Sequence, residues 1–196
     1  STWYVDNFWE DVFNNMIAYF NSDSPGLRDP VYYLDRISSE IREFHRQSLK
    51  DVHVKGKIVS RRPTKVGDTP SFLWGVGVPS IADKIEYERH NDWWWWHSDA
   101  DTIEKADPQV LLDQIRAYAL STLRLCNCPV LPLEFSSVAD DFIGALNDLK
   151  DAGNGAIDLD PLIEKARKLK SQSRKFDTTA SKALKKYTAL RKGRAK

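Results

Sequence analysis

Residues 17–23 have the sequence IAYFNSD, a short apolar run that passes into a polar loop of Asn, Ser, Asp, Pro and Gly. This pattern predicts a buried β-strand over 17–21 that ends in a loop. Apolar residues at near-helical spacing over 3–16 predict a helix before the strand. The Asp29-Pro30 pair is typical of an N-cap and a first helical position, and it predicts a helix that runs to about Leu49.

Helices and strands are also predicted to alternate in the next part of the chain. Residues 51–71 are mostly polar, with an extended stretch around Ile58, and a short helix is predicted over 71–76. Residues 77–81, GVPSI, predict a second buried strand, and Asp107-Pro108 begins a strongly amphipathic helix. Strands and helices in this order are typical of a layered α/β domain with a mostly parallel sheet. We therefore predict an α/β domain over residues 1–128.

Only helical patterns follow residue 128. One apolar stripe covers 138–149, a second begins at Asp160-Pro161, and a third covers 180–190. From residue 165 to 196 nearly every charge is basic, Asp177 being the one acid. This basic stretch is typical of the solvated face of a helical bundle, and the alternative is contact with an acidic partner or nucleic acid. We predict a helical domain over 129–196.

Composition limits the class of protein. The chain has 196 residues, enough for one good core with a small appendage. Its net charge of +1 provides no general attraction to nucleic acid or to a membrane. No apolar run is long enough to span a bilayer. Cys126 and Cys128 are too closely spaced for an easy disulfide, so buried structural thiols are predicted.

Four consecutive tryptophans, residues 93–96, run directly into His97, with Asp99 and Asp101 close behind. Tryptophans seldom cluster, because each ring needs apolar cover and a partner for its indole N–H. Rings beside an imidazole and several carboxylates are typical of a pocket with a polar centre. The alternatives are a core strand with a satisfied histidine and, for Asp101, a helix N-cap with Glu104 three residues later.

Metal-assisted hydrolysis needs carboxylates and histidines at strand ends, with an open position for water. Asp23 lies just past the first predicted strand, where sites assemble in α/β sheets. His97 is a second candidate ligand, and Asp99 and Asp101 could orient its other ring nitrogen. On spacing alone, a turn-forming role for Asp23 and a capping role for Asp101 are the simpler interpretations.

Four stretches in this order resemble one family. Ser1-Thr2 and the aromatic helix after them resemble the segment behind a catalytic glutamate pair, and residues 17–24 resemble a strand whose closing Asp binds zinc. Residues 67–80 resemble a Ser-Asp-x-x-x-Phe … Gly-Ile-Pro-Ser stretch. Residues 96–102, WHSDADT, resemble a Tyr-His-Thr/Ser-x-x-Asp/Glu-Thr motif whose His binds zinc. The family is that of zinc aminopeptidases and glutamate carboxypeptidases, which includes the transferrin receptor ectodomain.

The resemblance implies the C-terminal part of a zinc-exopeptidase α/β domain over 1–128, followed by an incomplete helical dimerisation domain. It implies two zinc ions, one bound by Asp23 and the other by His97, with Asp68 and Asp101 behind these ligands. The family's first His, its bridging Asp and its glutamate pair have no counterpart here. An N-terminal part of the same enzyme or a companion chain would supply them.

The resemblance also has departures. Trp96 replaces the common Tyr beside the histidine, and Gly67 and Ala82 replace groups that recognise glutamate, so a glutamate preference is not implied. Within the run 93–96, Trp94 and Trp95 are predicted to line a pocket for apolar or aromatic side chains.

Together these features predict a homodimeric exopeptidase that acts on peptides, with no nucleic-acid or membrane partner. The alternatives are a non-catalytic binding or assembly protein of transferrin-receptor type and a helical binding module for an acidic partner.

Overall fold

The computed structural model describes residues 1–23, 25–30, 32–54, 57–61, 63, 67–86 and 94–194. The protein is a mixed fold of helices and one four-stranded sheet. It divides into two compact units, residues 1–124 and 125–196. None of the helices in the described ranges is long and apolar enough to cross a membrane.

The first unit contains the sheet. Its elements are α1 (Thr2–Asn7), α2 (Trp9–Asn15), β1 (Tyr19–Ser22), β2 (Tyr32–Ile37), α3 (Ser39–Asp51), β3 (Lys57–Arg61), α4 (Thr69–Leu73), β4 (Ser80–Glu86) and the 3₁₀ helix Ile103–Lys105. Helix α5 (Pro108–Asn127) begins in this unit and ends in the second, which also holds α6 (Phe135–Ala152) and α7 (Asp160–Arg194). The predicted helices at Asp107-Pro108 and over 138–149 are confirmed.

The sheet has the strand order β1-β4-β2-β3. The pairs β1–β4 and β2–β3 are parallel, whereas β2 and β4 are antiparallel, so the sheet is mixed. The central pair places Ile37 opposite Ile81, and both side chains are fully buried. Beyond this pair, Ser38 and Ser80 exchange two hydrogen bonds of 2.9 Å each, which join the end of β2 to the start of β4.

The prediction of one helix from Asp29 to Leu49 is wrong over its first half, because residues 32–37 form β2. Tyr33 and Ile37 are four residues apart, a spacing that fits one face of a helix and also one face of a strand. Pairing with β3 and β4 on both sides decides in favour of the strand. Asp29 has a positive φ of 50°, and the helix begins only after the extended backbone of Ser38.

Several other predicted helix and strand boundaries differ from the observed ones. The helix over 3–16 is two helices that break at Phe8, whose ring packs against Trp3 and Tyr4. The short helix covers 69–73 instead of 71–76. The second strand covers 80–86 instead of 77–81, since Pro79 has no N–H to donate. The two helices predicted after residue 158 are one, because residues 162–192 contain no Gly or Pro to interrupt it.

Two hydrophobic clusters form the interior of the first unit. The first joins β2, α3 and α5 to the loop after β1 and to one tryptophan of the predicted pocket; its members are Leu27, Tyr33, Leu49, Trp95, Val110 and Ala117. The second joins α1, α2 and α4, with Val5, Val12, Phe72 and Val78 at its centre. The first cluster therefore fixes the surroundings of the candidate site.

Candidate functional site

Helix α5 holds the end of β1 and the loop that follows it. The Tyr118 hydroxyl donates a hydrogen bond of 2.5 Å to the main-chain carbonyl of Asn21. The main-chain N–H of Gly26 donates to the Gln114 side-chain oxygen, also at 2.5 Å. Asp23 lies between these two anchors, directly after the last residue of β1, and is exposed. The predicted position of Asp23 at a strand end is confirmed.

The loop after β1 pairs with the segment that precedes α5. Leu27 and Ala106 form an antiparallel bridge, which is made by two backbone hydrogen bonds: Asp107 N–H to the Gly26 carbonyl at 2.7 Å and Arg28 N–H to the Lys105 carbonyl at 2.9 Å. The Arg28 guanidinium donates to two main-chain carbonyls of the same segment, at 2.8 and 2.9 Å. The segment after Asp23 and the segment after His97 are thus held against each other.

The tryptophan run divides between interior and surface. Trp95 is buried in the first cluster, whereas Trp94 is 70% exposed and Trp96 is 40% exposed. His97 is exposed, has a positive φ of 61°, and stacks on Trp96 with ring centroids 3.8 Å apart. The Ser98 hydroxyl donates to the Trp95 carbonyl at 2.6 Å, which closes the turn around the histidine.

A cavity of about 350 Å³ lies between the paired segments. Its lining residues are Pro25, Gly26, Leu27, Trp95, Trp96, Asp101, Thr102, Ile103, Lys105 and Ala106. Of the two tryptophans predicted for the pocket, Trp95 is therefore part of the wall. Trp94 is not among the lining residues, and its ring lies 5.2 Å from the Lys105 ammonium. Trp93 lies outside the described residues.

The two predicted supporting carboxylates are in different surroundings. Asp101 lies in the cavity wall, and its main-chain N–H donates to the Ser98 carbonyl at 3.1 Å. The 3₁₀ helix that follows begins after Thr102, so the interpretation of Asp101 as its N-cap is wrong. Asp68 is exposed, does not line the cavity and lies 3.9 Å from the amine of Ser1.

Two pKa shifts describe the electrostatics near these segments. Glu104 accepts a hydrogen bond from the Thr102 hydroxyl, which holds the pKa of this carboxyl below its usual value, and its own backbone N–H, Lys105 and Arg28 act in the same direction. Burial raises the pKa of the Tyr19 hydroxyl, and the nearby Asp68 carboxylate raises it further. The Asp68 carboxylate therefore acts electrostatically on Tyr19 of β1, which does not line the cavity.

The described residues do not make a zinc site by themselves. No group of three or more His, Cys, Asp or Glu side chains in that part of the chain could hold a metal ion. Zinc sites in proteins use at least three protein ligands, whereas Asp23 and His97 provide two. Their side-chain types suit zinc, but their number does not, and other ligands would be needed.

The cysteine pair belongs to the second unit and is not among the residues that line the cavity. Cys126 is exposed, so the prediction of buried structural thiols is wrong for this residue. Cys128 is half-buried, and burial raises the pKa of its thiol. A raised thiol pKa disfavours the thiolate, which is the form that binds metals.

Two cations near the site have no clear signal in the sequence, whereas a glycine beside them has one. In the sequence, Lys105 and Arg28 resemble any surface cation. The pairing of their segments places Lys105 in the cavity wall and brings the Arg28 guanidinium to main-chain carbonyls of the facing segment. Gly26 could have been noticed, because Ser-Pro-Gly is typical of a turn and a turn residue can require a positive φ. Its φ is 78°.

No protein-family model matches the chain, and no curated protein matches it. The resemblance to zinc exopeptidases therefore depends on the quoted residues alone.

Proposed function

We propose that this chain is the C-terminal part of a dinuclear-zinc exopeptidase that hydrolyses peptide bonds. In this proposal, residues 1–128 belong to the catalytic α/β domain and 129–196 to a helical dimerisation domain. The observation that supports it most is the pairing of residues 26–28 with 104–107. This pairing joins the loop after Asp23 to the segment after His97, and a ligand-sized cavity lies between them.

Asp23 binds one zinc ion in this proposal, and His97 binds the other. Stacking on Trp96 restricts the orientation of the His97 ring, and a fixed ring orientation favours metal binding. The bridging carboxylate, the remaining ligands and the glutamate that acts as general base come from an N-terminal part of the same enzyme or from a companion chain. Asp23 and His97 act only as metal ligands in this proposal.

Native mass spectrometry of the protein isolated from its natural source, with and without a zinc chelator, tests this proposal. We expect a complex heavier than the 22.5 kDa chain that carries two zinc ions and loses them to the chelator. A bare chain without metal would contradict it.

The His97→Ala variant provides the second test. In the complete complex it should abolish peptide hydrolysis with little change in circular dichroism, because one ion loses a ligand. His53→Ala is the matched control, since His53 is also exposed and has a similar positive φ of 53°. Equal turnover of the His97 variant and the natural protein would rule out His97 as a ligand.

The proposed partner is a second copy of the chain, bound through α6 and α7. Phe142 and Leu149 lie two turns apart on α6 and are 55% and 61% exposed, and exposed apolar patches mark interaction surfaces. Light scattering should give a dimer, and the double variant Phe142→Ser/Leu149→Ser should give a monomer. A complex with an acidic partner that dissociates in salt, without self-association, would favour the helical binding module instead.

A further inference from the structure

Helix α7 carries a heptad repeat of apolar and small side chains. The repeat consists of two rows, each with a spacing of seven residues. The first row is Leu162, Leu169, Phe176, Ala183 and Leu190. The second row is Ala166, Ser173, Ala180 and Tyr187. Two such rows form a narrow seam along one side of a helix, and this seam is typical of packing against another helix in coiled coils and bundles.

Helix α6 is shorter than this seam and runs antiparallel to α7. At the start of α6, the ring of Phe135 packs edge-on against Phe176, with centroids 5.5 Å apart. Near the end of α6, Lys150 pairs with Asp160 at the start of α7, at 2.6 Å. Helix α6 therefore lies beside the first half of α7, and residues 178–194 extend past its N-terminal end.

The exposure of the seam changes where α6 ends. Ala166 and Ser173, in the half beside α6, are buried. From residue 181 to 191 every side chain is exposed, and Tyr187 and Leu190 are 42% and 58% exposed. The repeat that packs against a helix in the first half of α7 thus continues, in the same register, along an exposed second half. Exposed apolar residues in such a row mark an interaction surface.

A groove between α6 and α7 joins this exposed surface. Its volume is about 400 Å³, and its lining residues are Phe135, Val138, Leu169, Gln172, Ser173 and Phe176. Leu169 and Phe176 belong to the first row of the seam. A helix that packs on Ala183 and Leu190 can therefore continue into the groove in the same register, as helices do in apolar grooves.

The charges beside the exposed half of the seam are basic. Lys186 directly precedes Tyr187 in the chain, and Arg191 directly follows Leu190. Residues 178–196 contain no Asp or Glu. Charged side chains that flank a seam determine which helices pair, because opposite charges attract and like charges repel across the interface. A helix with acidic flanks is therefore the complementary partner.

Helix α6 is itself a helix of this kind. It is amphipathic, and its charged residues are Asp140, Asp141, Asp148, Lys150 and Asp151. The Asp140 carboxylate forms an ion pair with Lys170 of α7. The covered half of α7 thus already pairs with an acidic amphipathic helix. A bilayer is a poorer match, because a narrow seam with Ala180 and Ala183 buries little apolar area in lipid but allows a helix backbone to approach closely.

We propose that the second half of α7, residues 178–194, binds an acidic amphipathic helix of a partner protein. Tyr187 and Leu190 contact its apolar face, and Lys186 and Arg191 pair with its carboxylates. This surface differs from Phe142 and Leu149 of α6, which are assigned to the proposed dimer. The inference goes beyond the proposed function and does not depend on zinc binding or peptide hydrolysis.

Binding is measured by fluorescence anisotropy of labelled peptides added to the full chain. The probe is a three-heptad peptide with Leu and Ala at the seam positions and Glu at the flanking positions. A matched peptide has Lys in place of each Glu. We expect the acidic peptide to bind about tenfold or more tightly than the basic one, and to bind more weakly as salt is added. Equal affinity for the two peptides, or no binding of either, would overturn the proposal.

Charge reversal assigns the preference to the flanking residues. Lys186→Glu/Arg191→Glu should make the basic peptide the tighter ligand. Lys50→Glu/Arg116→Glu is the matched control, since it changes the net charge equally at an exposed lysine and an exposed arginine of the first unit. A preference for the acidic peptide that survives in the first variant, or a reversed preference in the control, would contradict the proposal.

A second pair of variants separates this surface from the proposed dimer. Tyr187→Ser/Leu190→Ser should weaken binding of the acidic peptide about tenfold or more and leave self-association unchanged, because both residues lie on the exposed half of the seam. Phe142→Ser/Leu149→Ser should leave peptide binding unchanged. If Tyr187→Ser/Leu190→Ser instead abolishes self-association, a second copy of the chain occupies the seam and the proposal is wrong.

Lipid and nucleic acid are the other acidic partners to be tested. Phosphatidylserine vesicles and a DNA duplex are each added to the complex of the chain with the acidic peptide, at equal concentrations of negative charge. We expect neither to release the peptide, since neither presents a helical seam. Release by the vesicles or by the duplex would assign the basic surface to that partner and overturn the proposal.

Discussion

Helix α3 of the first unit and helix α7 of the second are both amphipathic, but they bury their apolar sides to different extents. In α3, which has 13 residues, Ile41, His45, Ser48 and Leu49 are buried, and all four are completely covered. Helix α7 has 35 residues, and among those whose side chains the structure describes, Ile163, Ala166 and Ser173 are buried. Its later apolar residues Leu184, Tyr187 and Leu190 are 41–58% exposed.

The difference separates two sources of helix stability. Helix α3 is held by tertiary burial, including a hydrogen bond of 2.8 Å between His45 and Ser121 of α5. Helix α7 depends more on local propensity, on the i,i+4 pair Glu164–Lys168 and on an ion pair of Lys170 with Asp140 of α6. Since most helical stability in proteins comes from tertiary packing, identical substitutions in the two helices should have unequal effects.

The largest expected difference is between Leu49→Ala in α3 and Leu190→Ala in α7. Leu49 is fully buried, so its truncation removes apolar burial and leaves a cavity, at a cost of about 2–5 kcal/mol in the free energy of unfolding. Leu190 is 58% exposed, and the same change should cost within about 0.5 kcal/mol. Urea unfolding followed by circular dichroism, with separate transitions for the two units, measures both values. Similar costs would show that burial does not distinguish the helices.

Glycine provides the next comparison. Gly26, beside the cavity, and Gly155, between α6 and α7, have φ values of 78° and 83°. A Cβ at Gly26 would lie 2.8 Å from the Leu111 Cβ, whereas nothing lies within 4 Å of a Cβ at Gly155. We therefore expect Gly26→Ala to cost about 2–4 kcal/mol, from backbone strain and overpacking together, and Gly155→Ala about 1–2 kcal/mol, from strain alone.

The same unfolding measurement tests the glycine pair. If both variants lower the free energy of unfolding by the same amount, the contact with Leu111 is not energetically important.

Local patterns predict some elements of this fold well and others poorly. Helices α5 and α6 follow from apolar spacing, and β1 follows from an apolar run that ends in turn-forming residues. Strand β2 could not be predicted in this way, because the spacing of Tyr33 and Ile37 fits a helix equally well. Its pairing with β3 and β4 depends on residues that are distant in the sequence, and a local pattern does not contain that information.

Some features of the candidate site could also be predicted from the sequence, and others could not. The position of Asp23 at a strand end and the place of Trp95 in a pocket wall follow from the sequence. A run of identical tryptophans does not indicate which ring turns inward, so Trp94 and Trp95 could not be distinguished. Lys105 becomes part of the site only through the bridge between Leu27 and Ala106, which is a tertiary contact.

A smaller effect concerns the cap that ties α7 to α6. Both carboxylate oxygens of Asp177 accept hydrogen bonds of 3.0 Å, from the N–H groups of Phe135 and Ser136 at the start of α6. Asp177→Ala should cost the second unit about 1 kcal/mol, because it removes an N-terminal cap and a charge that favours the helix dipole. Asp151→Ala is the control. Asp151 lies near the C-terminal end of α6, so this variant removes the same charge but leaves the cap of the helix in place. An equal loss in both variants would mean that net charge, and not capping, is responsible.

The smallest expected effect concerns a surface contact between α3 and α5. The Arg124 guanidinium donates to the Asp51 carboxylate at 2.6 Å and to the Ser48 hydroxyl at 3.2 Å. The hydrogen bond from Arg124 is the main reason why the pKa of Asp51 lies below its usual value, and a hydrogen bond from Gln47 adds to it. A carboxyl whose pKa is lower in the folded state contributes stability above its unfolded pKa of about 3.9.

This contribution disappears as the pH falls through the folded pKa, so it concerns only acid conditions. Arg124→Met should raise the pKa of Asp51 toward its usual value, and the stability difference between the variant and the natural protein should narrow below about pH 4. Carboxyl carbon NMR across an acid titration measures the pKa, and Lys50→Met serves as the neighbouring charge control. An unchanged Asp51 pKa in Arg124→Met would mean that this ion pair does not persist in solution. The two helices would then be joined by buried contacts such as His45–Ser121 alone, which would sharpen the contrast with the more exposed α7.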